Sequence, residues 1–132
     1  MAITFSVPGN PVPQPRARIT TRGKFAHAYT PKSHPVHGYR SSLAAAARAA
    51  GLIQTGKPLS VVIDAVFVRP KSHMTKASVK ATAPVLPRPD VDNVAKAVLD
   101  SLQDVMGDDT MVARLVVEKS YGEEARTTVR VS

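Results

Sequence analysis

The sequence predicts an α+β (mixed α/β) fold: one small domain with a mostly antiparallel or mixed sheet packed by two helices. Three observations lead there. The chain is 132 residues long, the size of one domain with one hydrophobic core. Period-two apolar alternation and helical periodicity take turns along it, in the order strand, hairpin, helix, strand, helix, strand, strand, without an internal repeat. Hydrophobic residues make up 43% and charged residues 21%, the proportions of an ordinary globular protein. A single domain over residues 1–132 is therefore expected.

The elements follow in order. Ile3, Phe5 and Val7 alternate with Thr4 and Ser6 and read as a half-buried strand. Pro8-Gly9-Asn10-Pro11 ends it, and Pro11, Pro13 and Pro15 space out an extended arm with no regular ladder. Arg16 and Arg18 follow at period two, so an extended backbone sends both guanidinium groups to one side. Thr21-Arg22-Gly23-Lys24 reads as a turn between short strands, the second over residues 25–29. The first helix begins near residues 33–36, with Tyr39, Leu43, Ala46, Ala47 and Ala50 on one face and Gly51 as its stop. Residues 59–69 are rich in Val and Ile and apolar on both faces, which suits a central strand covered on both sides. Residues 70–89 hold Lys71, Lys76, Lys80 and Arg88 among prolines, a basic, mobile loop with a helical turn around 72–79. A second helix is expected over 91–105, its apolar stripe made by Val94, Ala97, Val98, Leu102 and Val105, and Gly107 ends it. Residues 111–121 and 126–131 are expected to form a hairpin around Gly122-Glu123-Glu124-Ala125.

Composition excludes several functions. There is no cysteine, so no disulfide scaffold, thiolate zinc site or cysteine nucleophile. No apolar run approaches the roughly 18 residues of a membrane span, and the segment from Met1 to Phe5 lacks the basic flank and apolar block of a signal peptide. No membrane partner and a cytoplasmic location are the expectation. Charge is more informative. The net charge is +8, divided into +12 over residues 1–89, where Asp64 is the single acid, and −4 over residues 90–132. Six of the ten acids lie between Asp90 and Asp109. A basic protein with one acidic helix would show this pattern, and so would a polyanion-binding face around a carboxylate metal site.

The segment Pro89-Asp90-Val91-Asp92-Asn93-Val94-Ala95-Lys96 concentrates the chemistry. On an extended entry to the helix, Asp90 and Asp92 lie on the same side. Either can cap the helix, but two adjacent like charges repel unless a cation sits between them. Mg²⁺, which takes oxygen ligands and keeps several waters, is such a cation. Asp92, Lys96 and Asp100 fall at i, i+4 and i+8 on one polar face, opposite the apolar stripe. Asp108 and Asp109 follow the helix directly, where a turn alone would also use them.

The run from Arg88 through Asp100-Ser101-Leu102, followed by Asp108-Asp109-Thr110-Met111-Val112, resembles the signature of the RusA family of Holliday junction resolvases. That signature is a P-D-x-D-N helix entry with a lysine four residues after the second aspartate, then a D-D-x-x-V strand entry. Gly9-Asn10-Pro11-Val12-Pro13 with Arg16 and Arg18, Tyr29-Thr30-Pro31, and residues 116–121 with Lys119 and Gly122 resemble family members of phage and prophage origin. The resemblance implies a small homodimeric endonuclease, bacterial or phage-encoded, that cuts four-way DNA junctions in recombination and repair. It implies Mg²⁺ as cofactor, for which Mn²⁺ can substitute. Matched position by position, Asp90, Asp92 and Asp109 are the catalytic carboxylates and metal ligands, and Lys96 is the essential helix lysine. Asp108 is a further candidate ligand beside Asp109, and Asp100 a helper that positions Lys96. The stretch between Asp100 and Asp108 is short for the family and lacks an aromatic before the Asp pair, so the choice between Asp108 and Asp109 stays open.

Candidate phosphate contacts come from the basic part: Arg16, Arg18, Arg22 and Lys24 on the arm and hairpin, Arg40 and Arg48 on the first helix, and Lys71, Lys76, Lys80 and Arg88 in the loop. Aromatic residues are only 5% and Trp is absent, so base-stacking platforms are not expected and recognition falls to backbone shape. A four-way junction has two-fold symmetry and asks for two active sites, hence a homodimer. Two other readings remain at this point: a non-catalytic basic DNA-binding protein of the same fold, and a nuclease for other branched DNA. His27, His34, His37 and His73 are isolated and read as structural or surface groups.

Overall fold

The computed structural model describes residues 2–15, 18–20, 27–75, 78 and 88–132, with residues 18–20, 27, 28 and 109 described by their backbone. The chain runs through β1 (Ile3–Pro8), β2 (Arg18–Thr20), β3 (His27–Tyr29), α1 (Val36–Ala49), β4 (Leu59–Val68), α2 (Val91–Met106), β5 (Val112–Gly122) and β6 (Arg126–Val131). Single 3₁₀ turns occur at Lys71–His73 and Asp109–Met111. The first of these is shorter than the helical turn expected over 72–79, and most of the expected loop lies outside the described residues.

β4 organises the main sheet because it is the most continuously apolar strand and can use a partner on each side. It pairs antiparallel with β6 and parallel with β5, and β1 completes the order β1-β6-β4-β5. This α+β domain with a mixed sheet and two helices has the expected class. The terminal hairpin is not formed. β5 and β6 are separated by β4, so residues 122–125 cross one intervening strand, about 9–10 Å between the flanking strands, rather than closing a tight turn. Alternation along 112–131 identified both strands and their faces, but it carries no information about which strand lies between them. β2 and β3 pair antiparallel as a separate two-stranded ribbon, as expected, while the turn joining them lies outside the described residues.

Register places Phe5, Val129, Ile63 and Val117 in one row across the sheet. This face is covered by both helices, whose Leu43, Ala47, Ala95, Val98, Leu102 and Met106 meet the strand residues in one core. The opposite face carries the row Ser6, Thr128, Asp64 and Glu118, and there Ser6 and Thr128 share a 2.8 Å hydroxyl hydrogen bond. β4 is therefore central, and only its inward face is covered by the two helices; the other face, where Val66 is buried, carries polar neighbours from β1, β5 and β6.

α1 packs on β1, α2 on β5, and the helices on each other. Arg48, one of the sequence candidates for phosphate contact, instead donates from Nη2 to the Asp104 carbonyl at 3.0 Å, tying α1 to the last turn of α2. Tyr39 reaches across the core face to a hydroxyl hydrogen bond with the fully buried Thr127 of β6. Gly107, at φ 81°, takes the left-handed backbone that ends α2. Among the described residues, no helix is long and apolar enough to cross a membrane.

Two predictions follow from this packing. Burial pushes the Tyr39 phenol up to about 12, against the lowering effect of its bond to Thr127. The unfolded chain ionises Tyr39 near its ordinary value of 10.0, so the stabilisation is complete below that pH and is lost as pH rises toward 12. Denaturant titrations across this window should show a shallower loss of stability for Tyr39→Phe than for the unmodified protein. At Gly122 an added methyl would stand 2.7 Å from Cγ1 of the buried Val66. Gly122→Ala should lower the unfolding free energy by about 1–3 kcal/mol, the usual range for overpacking, measured by chemical denaturation.

Candidate active site

The parallel pairing of β4 and β5 needs a connection that returns the chain to the start of the sheet, and α2 supplies it. α2 therefore begins near the C-terminal ends of these strands. Asp90 is its N-cap residue, in extended backbone at φ −63° and ψ 143°, after an Arg88–Pro89 peptide that is cis. Its carbonyl accepts the N–H groups of Asn93 at 3.1 Å and Val94 at 3.2 Å, which starts the helix. Its carboxylate makes no capping hydrogen bond and is exposed. Capping by the side chain, the ordinary job of an aspartate here, does not account for it.

Asp92 lies in the first turn and is also exposed. Because helical geometry begins at Val91, strand-like alternation does not apply between Asp90 and Asp92. Asp90 borders a hollow of about 770 Å³ with the proline arm, Arg88 and Asn93. Asp92 borders a smaller one of about 230 Å³ together with Lys96, Asp100, Leu99 and Leu115. The i, i+4, i+8 face is thus formed as expected. Among the described residues, no ion pair commits Lys96 to Asp92 or Asp100. Both carboxylates stand at the N-terminal end of α2.

The Asp108-Asp109 pair stands at the entry to β5. Asp108 is exposed, and its Oδ1 accepts the Thr110 N–H at 3.0 Å, closing the 3₁₀ turn Asp109–Met111. The Asp109 side chain lies outside the described residues. Among the described residues, no three acidic or histidine side chains converge as a metal cluster. The donors at hand are carboxylate oxygens without sulfur or imidazole, a set that suits a hard cation such as Mg²⁺ or Mn²⁺.

The arm from Pro11 to Pro15 is tied to this site. The Gln14 N–H donates to the Asn93 carbonyl at 2.9 Å, seating the arm on the first turn of α2. The Gln14 Oε1 is buried with no hydrogen-bond partner among the described residues. From the sheet, Lys119 of β5 donates to the Pro89 carbonyl at 2.8 Å. Arg69, at the end of β4, lies over the Tyr121 ring at 4.9 Å, and His73 meets the same ring edge-on at 5.6 Å. Of the residues named as DNA contacts, Arg88 and Lys71 are exposed, Arg88 beside Asp90 and Lys71 in the turn after β4. Arg18 is placed by its backbone in β2, while Arg16, Arg22, Lys24, Lys76 and Lys80 lie outside the described residues. The histidines with described side chains make structural contacts: His34 Nδ1 accepts the Val36 N–H at 3.1 Å, and His37 Nε2 meets the Pro31 carbonyl at 2.9 Å.

Gln14, Arg69 and the role of Lys119 were not legible as site features in the sequence. The signal available for Lys119 was a lysine on the otherwise apolar face of a strand, beside Leu115, Val117 and Tyr121, and for Gln14 its place inside a proline arm.

The family model for the endodeoxyribonuclease RusA matches residues 8–132. The chain belongs to the RusA endodeoxyribonuclease family. YqaN of Bacillus subtilis (strain 168), a protein described as uncharacterized, is 34% identical over 135 residues, covering 98% of this chain and 94% of YqaN. RusA membership makes this a junction-resolving endonuclease fold acting on branched DNA, with the D-x-D-N-x-x-K segment at the exposed start of α2. Because the Asp90 carboxylate does no capping, Asp90→Asn should change the unfolding free energy by less than the roughly 1 kcal/mol of a working cap. Urea denaturation of the pure protein measures this.

Proposed function

We propose that this RusA-family protein is a Mg²⁺-dependent endodeoxyribonuclease that resolves four-way DNA junctions by paired, symmetric phosphodiester hydrolysis. The observation that carries the reading is the Asp90 carboxylate, exposed at the helix N-terminus and making no capping bond, two residues before Asp92 and six before Lys96. A purely structural helix start would use that carboxylate as a cap.

Asp90, Asp92 and Asp109 are the groups to hold the ion, with Asp108 beside them engaged in its turn. When bound, the ion lowers the pKa of a water and polarises the phosphoryl oxygens. A carboxylate of this set orients the water or takes its proton. The water oxygen joins the phosphorus as the bond to the 3′ oxygen breaks, and the departing 3′ oxygen takes a proton from solvent, leaving a 5′ phosphate and a 3′ hydroxyl. Lys96 places its ammonium where negative charge grows in the transition state, and Asp100, one turn further on, orients it. Arg88, at the rim of the Asp90 hollow, and Lys71 contact backbone phosphates; Arg16, Arg18, Arg22, Lys24, Lys76 and Lys80 are assigned the same task. A homodimer presents two such sites to a two-fold symmetric substrate.

A synthetic four-way junction, incubated with and without Mg²⁺, tests this. Paired symmetric nicks that EDTA abolishes are expected. Binding without cleavage under any divalent ion would leave only a structural DNA-binding role. Asp90→Asn should reduce nicking about 10²–10³-fold while junction binding is retained, and Lys96→Ala should lower turnover about 10²-fold with little change in affinity. Replacing Arg16 and Arg18 together with alanine should reduce the slope of log affinity against log salt by about 1.8, read by titration at several ionic strengths.

A further inference from the structure

Lys119 occupies a position where the register calls for an apolar residue. Val7, Thr127, Ala65 and Lys119 form one row across the sheet, on the face covered by the helices. The first three are buried, and Thr127 is satisfied by its bond to Tyr39. Lys119 is half-buried, and its ammonium donates at 2.8 Å to a backbone carbonyl, that of Pro89. Taking an ammonium partly out of water is costly, and a hydrophobic side chain at the same place would have extended the core instead.

The acceptor is the residue immediately before Asp90. The Asp90 carboxylate is not anchored by a capping bond of its own, so where it points depends on how the backbone at residues 89–93 is held. On one side the helix holds it, through the bonds from Asn93 and Val94 to the Asp90 carbonyl. On the other side the Lys119 bond holds it, charge-assisted and therefore stronger than a neutral one.

We propose that Lys119 is a positioning residue of the carboxylate site: reaching up from the inward face of β5, it holds the Pro89 carbonyl and so sets the direction in which the Asp90 carboxylate leaves the helix start. This rests on the metal-site reading above. It also makes a prediction of sign. A cation near the carboxylates repels a divalent ion, so if Lys119 acted through charge alone, its removal would tighten metal binding. If it acts by positioning, removal weakens metal binding, because the carboxylates are no longer pre-arranged.

The full chain should be prepared as Lys119→Met, Lys119→Gln and Lys119→Arg, and Mn²⁺ binding measured without DNA by electron paramagnetic resonance. Turnover, junction affinity in Ca²⁺ and thermal stability are measured in parallel. The expected result is Mn²⁺ affinity and turnover each lowered about tenfold or more in Lys119→Met, with junction affinity changed less than about threefold and Lys119→Arg restoring most of both losses. Lys119→Gln, which keeps a neutral N–H donor, replaces the Met variant if that one does not fold, with the same direction expected. Unchanged or tighter Mn²⁺ binding in a folded variant would overturn the proposal while leaving the carboxylate site intact. Loss of turnover that tracks thermal stability, with Mn²⁺ affinity unmoved, would reduce Lys119 to a structural tie. If the unmodified protein neither binds Mn²⁺ nor nicks a junction, the carboxylate-site reading fails first and this inference falls with it.

Discussion

The parallel pairing of β4 with β5 is the constraint on which the rest of the molecule depends. Two parallel strands cannot be joined by a tight turn, so the chain must travel back along the sheet, and α2 makes that journey. The helix start is thereby delivered to the C-terminal ends of the two strands. There the loop leaving β4, the proline arm and the last residues of β5 all arrive, and each contributes a contact: Arg69 on Tyr121, Gln14 to Asn93, and Lys119 to Pro89. The same end of parallel strands serves as the ligand side in open α/β sheets for the same geometrical reason.

At this junction local stability gives way to chemistry. An aspartate N-cap ordinarily closes its own helix, yet Asp90 leaves its carboxylate in solvent and uses only its backbone carbonyl. The sheet then holds the backbone from below, and the arm holds it from the side. Charge is distributed to match: the acids gather on α2 and the turn after it, while the cations lie largely in the preceding 89 residues. Under the proposed function, the basic part would bind the polyanionic substrate and a cation would offset the repulsion at the carboxylates.

Much of this could be read from residue order. The alternation of Ile3, Phe5 and Val7 marked β1, the stripe of Val94, Val98 and Leu102 marked α2, and the continuous apolar run marked β4 as central. Such patterns report which face of an element is buried, a property each segment carries by itself. Strand neighbours are a different matter. β5 and β6 follow one another across a short glycine-containing link, which read as a hairpin, and β4 lies between them because it had two edges to fill. The polar row on the far face likewise depends on which residues of β1, β6 and β5 fall beside Val62 and Asp64.

The candidate site divides along the same line. Asp90, Asp92, Lys96 and Asp100 are close in sequence, so helical geometry and a short motif were enough to bring them forward. The sequence by itself determined the fold class, the charge division and this acidic helix, because those depend on local periodicity and composition. Only the tertiary structure decided that the proline arm lies against Asn93 and that Lys119 reaches Pro89 from thirty positions away. Those contacts join segments remote along the chain, and their existence follows from strand order and register, which no single segment encodes.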